Sequence, residues 1–406
     1  MEIQNFVLNW PGKVIFGSGK IAALADEAKI LGKRVLVITT KDLSNLGFTE
    51  RATTILKSAG LAVDVFDDVQ PDPTCVAADA VARIARSNKD DVIVAFGGGS
   101  AIDLSKAVSV AVRHEGPIWD YVTYTGANAK PVTSAVLPLI AIPTTAGTGS
   151  EVSMGTVLDN PEKHMKAALL SPYVFPRVAI VDPELTYSLP SHITAMTGFD
   201  ALTHGIESYL NVSRSNPASE LLALDAVRRV VRYLPQVVEN GNNHEARAQM
   251  SWAATVGGVA MALSNVTVAH AMGLPLGSRA HVPHGLGLSR LLPVVMEYSW
   301  QAQPRRYAEV AEVVGAAKQG MNDGEKAQAL VQWLKDFVRN IGLMKLWAGY
   351  AVDEKMLQTL TADVFAYMGR PVQQHLPVFT PEQVREIYAA ALIKEIDYGM
   401  AVKQNL

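Results

Sequence analysis

Short apolar runs alternate with amphipathic stretches through the first half of the chain. Positions 13–16, 34–39, 63–66, 92–96, 137–143 and 178–181 read as strands, and 21–28, 48–59, 76–86 and 101–112 as helices. The runs at 34–39 and 92–96 are almost wholly apolar, as strands covered on both faces are. This alternation predicts βαβ units and a doubly wound, mainly parallel sheet. Beyond Pro183 the texture changes, and β-branched runs give way to helical spacing over 218–234, 246–271, 307–314, 324–341 and 381–391. An α/β domain over 1–185 and an all-α domain over 186–406 are therefore expected.

Bulk numbers narrow the class without naming an activity. A chain of 406 residues exceeds one compact core and implies two domains or three. With a net charge of −3 there is neither a basic field for nucleic acid nor an acidic tail. Cys75 is the single cysteine, which excludes a disulfide framework and a thiolate zinc site and agrees with a reducing cytoplasm. The N-terminus lacks the pattern of a signal peptide. Residues 252–276 carry no Asp, Glu, Lys or Arg and are long enough to span a bilayer. Yet Gly257, Gly258, Ser264, Asn265, Thr267 and His270 interrupt the run, so a buried core helix is expected and no membrane partner.

Chemistry gathers at three places. Gly97, Gly98, Gly99 and Ser100 lie between an expected strand and helix, where bare backbone and free N–H groups favour a pyrophosphate. The segment 142–152, rich in Thr, Gly and Ser, follows a second strand and offers donors to phosphate or ribose. Asp200 and His204 are four apart and share one helix face, where His270 and His284 can complete an Asp/His₃ set suited to Zn²⁺ or Fe²⁺. Each signal has an ordinary counterpart: a glycine turn, a capped loop, a core histidine, a loop histidine. The histidine set gains weight because an unpartnered imidazole in so apolar a region is costly.

Taken in order, 11–19, 70–74, 97–106, 143–151 and 198–208, with His270 and 283–285, resemble the iron-containing (group III) alcohol dehydrogenase family over nearly the whole chain. The resemblance implies a dehydroquinate synthase-like fold: a dinucleotide-binding domain, an all-α domain and a cleft between them. It implies Asp200, His204, His270 and His284 as ligands of Fe²⁺, with Zn²⁺ as the alternative. Around NAD or NADP it places Gly97, Gly98, Gly99, Ser100, Asp103, Thr144, Thr145, Thr148 and Lys166, with Asp72 where relatives often carry asparagine. The activity implied is reversible oxidation of a primary or secondary alcohol, with a small alcohol or aldehyde as partner. A homodimer is expected, with 14–16 as an exposed edge for pairing.

Two departures stand out. Relatives often have a histidine near the nicotinamide where this chain has Leu274, leaving His281 and Lys166 as candidate catalytic groups. Thr40 stands where NAD-preferring relatives often have aspartate, so NAD versus NADP stays open. Arg279 hints at an anionic substrate tail. A cyclising lyase of the dehydroquinate-synthase type needs several basic side chains, and mainly Arg279 and Arg290 stand near; a degenerate nucleotide-binding scaffold is the other alternative.

Overall fold

A computed structural model describes residues 6, 8–10, 12–123 and 128–393; Pro11, which opens the first motif, lies outside them. Six strands, β1 (Lys13–Phe16), β2 (Arg34–Ile38), β3 (Ala62–Phe66), β4 (Val92–Gly97), β5 (Leu139–Pro143) and β8 (Val178–Val181), form a parallel sheet in the order β1-β8-β5-β4-β2-β3. Alternate residues serve two cores. Leu36, Ile38, Ile93 and Ala95 face one side, while Val35, Val37, Val94 and Phe96 face the other. That is why these runs are apolar at nearly every position. The chain reverses its direction across the sheet between β3 and β4, so the C-terminal ends of β2 and β4 open a crevice.

From Ser191 onward the chain is helical among the described residues. The core on one sheet face runs on through Phe199, Ile206 and Leu292 to Leu392, so sheet and helices bury apolar surface against each other.

Two local expectations are corrected. The stretch 246–271 is not one helix: His244–Ser264 and Val268–Ala280 meet at a bend of 106°. Asn265 turns the chain with φ 73° and ψ 162°, outside the left-handed helical well and strained for any residue with a side chain, and the Asn211 side chain caps the break by donating to Ser264 O at 2.8 Å. No single described helix is long and apolar enough to cross a membrane. The second correction is an unforeseen antiparallel hairpin, β6 (Gly155–Asn160) with β7 (Met165–Leu170). Its first strand alternates half-buried and buried positions. The residues do not alternate in polarity, since Thr156 and Asn160 are buried beside Leu158, and only the turn-forming Asn160-Pro161 marks the hairpin in the sequence.

Candidate active site

Asp200 and His204 lie on the buried helix Ser191–Leu210, with side chains on one face. The helix His284–Ser299 starts against it because residue 285 is glycine; a Cβ there would stand 2.1 Å from the Met196 carbonyl oxygen. His284 thereby reaches Asp200. His270 arrives from the first turn of Val268–Ala280, positioned by the bend.

The Nε2 atoms of His204, His270 and His284 stand 3.5, 3.4 and 3.6 Å from one oxygen, Asp200 Oδ1. The donor atoms of Asp200, His270 and His284 all lie within 4.8 Å of one another, and the His204 ring stacks on His270 at 4.7 Å. These separations are too long for hydrogen bonds, and Asp200 Oδ1 and His270 Nε2 are buried with no hydrogen-bond partner. Four ligands about 2.0–2.2 Å from a tetrahedral ion are separated from each other by about 3.3–3.6 Å. The residues present therefore fit a divalent ion. Burial opposes charge on Asp200, but the imidazoles around it, His204 foremost, hold its carboxyl well below the usual range. Burial likewise opposes charge on His270, yet Glu207 and Asp200 push it up to about 9, whereas burial takes His284 down to about 3.

Behind His270 lies a layer that the sequence did not disclose. His270 Nδ1 sits 2.5 Å from Glu207 Oε2, while Glu207 Oε1 accepts from Thr267 Oγ1 and Ala269 N, both at 2.7 Å. A proton held at Nδ1 leaves the Nε2 lone pair facing the common centre. His375 extends the chain, with Nδ1 3.2 Å from Thr267 Oγ1 and Nε2 2.7 Å from Ser299 Oγ.

On the sheet side, β4 ends in Gly97 at φ 156°, and the helix Gly99–Ala111 begins without a side-chain cap at Gly98. Its first N–H groups are thus open to an anion. The loop after β5 packs on this turn: Thr144 N donates to Gly97 O at 3.0 Å, Thr145 touches Gly98, and a Cβ at Gly99 would stand 2.7 Å from Thr148 Cγ2. A cavity of about 570 Å³ joins the two halves, with Gly99, Ser100, Asp103 and Thr148 in one wall and Asp200, His204, His270 and His284 in another. Asp103 accepts from Ser150 Oγ at 2.5 Å and from Val157 N at 3.1 Å, tying helix to loop and hairpin. Lys106 completes that tie from full burial, donating to Ser150 Oγ, Ser153 O and Gly155 O; burial lowers its pKa to about 8, against Asp103 and Glu151.

Lys166, on β7, lines the cavity and donates to Asp72 Oδ1 at 2.5 Å, with Asp72 held at φ 54°. Leu274 is part of the wall. His281 is not: it is exposed and ends its helix at φ 52°. Thr40 follows β2 and caps the helix Lys41–Asn45, accepting from Leu43 N at 3.4 Å, outside the cavity lining. Arg279 does not face a substrate, because it clamps Asp363 at 2.8 and 3.1 Å. Arg290 donates to Ala391 O at 2.8 Å and lies over Trp347. The arginines that line the cavity are Arg214 and Arg370, which no sequence pattern singled out.

Residues 11–183 match the family model described as iron-containing alcohol dehydrogenase, and 194–392 match the C-terminal model of the same family. The chain belongs to the iron-containing alcohol dehydrogenase family. Long-chain-alcohol dehydrogenase 1 of Geobacillus thermodenitrificans is 36% identical over 376 residues, 92% of this chain and 94% of that one. Among solved structures, an archaeal halo-thermophilic alcohol dehydrogenase from a Red Sea brine pool is similar with TM-score 0.91 at 30% identity, covering 97% of this chain and 100% of that one. The sulfoacetaldehyde reductase of Bifidobacterium kashiwanohense, solved with NAD⁺, is similar with TM-score 0.84 at 32% identity, covering 97% and 100%. The fold and activity class expected from the sequence hold: the chain is a nicotinamide-dependent alcohol dehydrogenase.

Proposed function

We propose that Asp200, His204, His270 and His284 hold one Fe²⁺ ion, with Zn²⁺ as the alternative occupant, and that NAD lies along the ends of β4 and β5. One observation carries the reading: three imidazole nitrogens surround a single bare, buried carboxylate oxygen in the wall of the cavity. The split into residues 1–185 and 186–406 then separates a cofactor half from a metal half. When bound, the ion supplies Lewis-acid polarisation of the alcohol or aldehyde oxygen, and the nicotinamide accepts or donates hydride.

The chain's own residues do the rest. Glu207 holds the proton at His270 Nδ1 and so aims Nε2. The amides at the start of the Gly99–Ala111 helix bind the cofactor's phosphates, and Gly97 and Gly98 let them come close. Leu274, Met261 and Val266 keep water from the reacting carbon. Lys166, steadied by Asp72, is the proton-bearing cation of the wall and takes the catalytic role considered for His281. NAD is favoured by the NAD⁺-bound relative, while Thr40 brings no charge to repel a 2′-phosphate. A second copy pairs across β1, an edge strand preceded in the chain by the exposed Phe6, Leu8 and Trp10.

Chelator-stripped protein, reloaded with Fe²⁺ or Zn²⁺ and given NAD⁺ or NADP⁺ with a panel of alcohols, tests this. Reduced-cofactor absorbance is expected to be highest with iron and NAD⁺. Equal rates with and without metal would overturn the assignment.

A further inference from the structure

The helical wall of the cavity carries positive charge outside the Asp/His set. Arg214 and Arg370 both line it and are exposed, and neither guanidinium engages an acceptor or a carboxylate among the described residues. The acidic groups nearest to them in sequence are occupied. Glu207 is bound to His270 and Thr267, Glu220 to Arg306 and Ser215, and Asp363 to Arg279.

The two arginines are held to one rim by hydrogen bonds. Arg214 lies in the loop after Asn211, whose Nδ2 donates to Ser264 O at 2.8 Å. Across the helix break, Asn265 Nδ2 donates to Gln374 Oε1 at 2.9 Å, at the end of the Gly369–Gln373 helix that carries Arg370. Loop, break and helix are thus stitched together, and the wall around them is Met261, Val266, Leu274 and Met368. An apolar channel with a metal site in its wall and two free guanidinium groups on its rim matches a molecule with three parts: a reacting oxygen, a short apolar body and an anionic end.

We propose that Arg214 and Arg370 form an oxyanion subsite, and that the enzyme acts on aldehydes or alcohols ending in a carboxylate, sulfonate or phosphonate. Guanidinium donors meet such groups in paired hydrogen bonds, which fixes the tail and places the carbonyl. Reduction of such an aldehyde consumes one NADH and one proton, gives the alcohol and NAD⁺, and leaves the tail unchanged. The proposal rests on the dehydrogenase reading of the same site.

The test compares succinate semialdehyde and 3-oxopropane-1-sulfonate with neutral butanal, using metal-loaded enzyme and NADH. The parent is expected to favour at least one anionic aldehyde by about tenfold or more in kcat/KM, chiefly through KM. Arg214→Gln and Arg370→Gln should each remove about tenfold of that preference and leave butanal within about twofold. Unreactive 1-propanesulfonate should raise the melting temperature of the parent bound to NAD⁺ but not of the double variant. Turnover of butanal without preference for either anion overturns the subsite and leaves the dehydrogenase reading standing. Equal losses on charged and neutral substrates overturn it too, and no turnover of any aldehyde overturns both.

Discussion

Glu207 is buried, accepts three hydrogen bonds and orients the imidazole of His270 toward Asp200; three residues after His204, it shares the helix face that spacing assigns to Asp200 and His204. Glu207→Gln keeps the shape and removes the charge that fixes the His270 tautomer. Iron affinity, read by competition with a chromophoric chelator, is expected to fall about 10–100-fold; an unchanged affinity would make Glu207 a packing residue. Thr40 is a second residue whose role can be isolated. Thr40→Asp adds a negative charge at the end of β2 and should lower the NADP/NAD ratio of kcat/KM by about tenfold or more. An unchanged ratio would place the 2′-hydroxyl elsewhere. At this scale legibility was uneven. Asp200 and His204 could be paired from i,i+4 spacing, and His270 and His284 from the motifs. Arg279 misled because its partner, Asp363, is distant in sequence. Arg214 and Arg370 were invisible because a loop, a five-residue helix and exposure leave no periodic trace.

Among the elements, the strands and their order of burial followed from apolar runs, since a strand covered on both faces has no polar option. The hairpin and the helix break were missed for the opposite reason: both depend on short polar punctuation inside otherwise ordinary stretches. The helix His244–Ser264 meets the loop after β5 at glycine on glycine. A Cβ at Gly258 would stand 2.6 Å from Gly149 Cα and 2.8 Å from its carbonyl oxygen, both backbone. Gly258→Ala should therefore cost about 1–3 kcal/mol in denaturant unfolding and raise KM for the cofactor, because the loop carries Thr148. A variant as stable as the parent would show that this crossing yields freely. Asp90, just before β4, offers a pH test. Its carboxylate oxygens are buried without a hydrogen-bond partner, and burial, with Asp64 beside it, pushes its pKa up to about 7. The folded pKa lies above the unfolded value, so stability from this group is full near pH 4 and is lost as pH rises towards 7. Asp90→Asn should accordingly gain about 1–3 kcal/mol over the parent at pH 8 and little at or below pH 4. Denaturant midpoints at both pH values check this, and an equal offset at each would contradict it.

Across the whole molecule, one apolar core passes from the sheet face into the helices, so the half with the glycine turn and the half with the Asp/His set share packing. The cavity between them takes its walls from both, with Thr148 and Ser100 from one and His204, His270 and His284 from the other. Two domains were expected from length and texture, but their shared core was not, because periodicity shows which face is apolar and not what covers it. The catalytic account depends on this joint geometry, and above all on four side chains closing on one ion. Iron content per chain, measured by elemental analysis on parent and His270→Ala protein after identical reloading and desalting, addresses that directly. The account predicts about one iron per parent chain and less than about a tenth of that in the variant, with native helical content retained in both. A variant that keeps the parent's stoichiometry and affinity would contradict it.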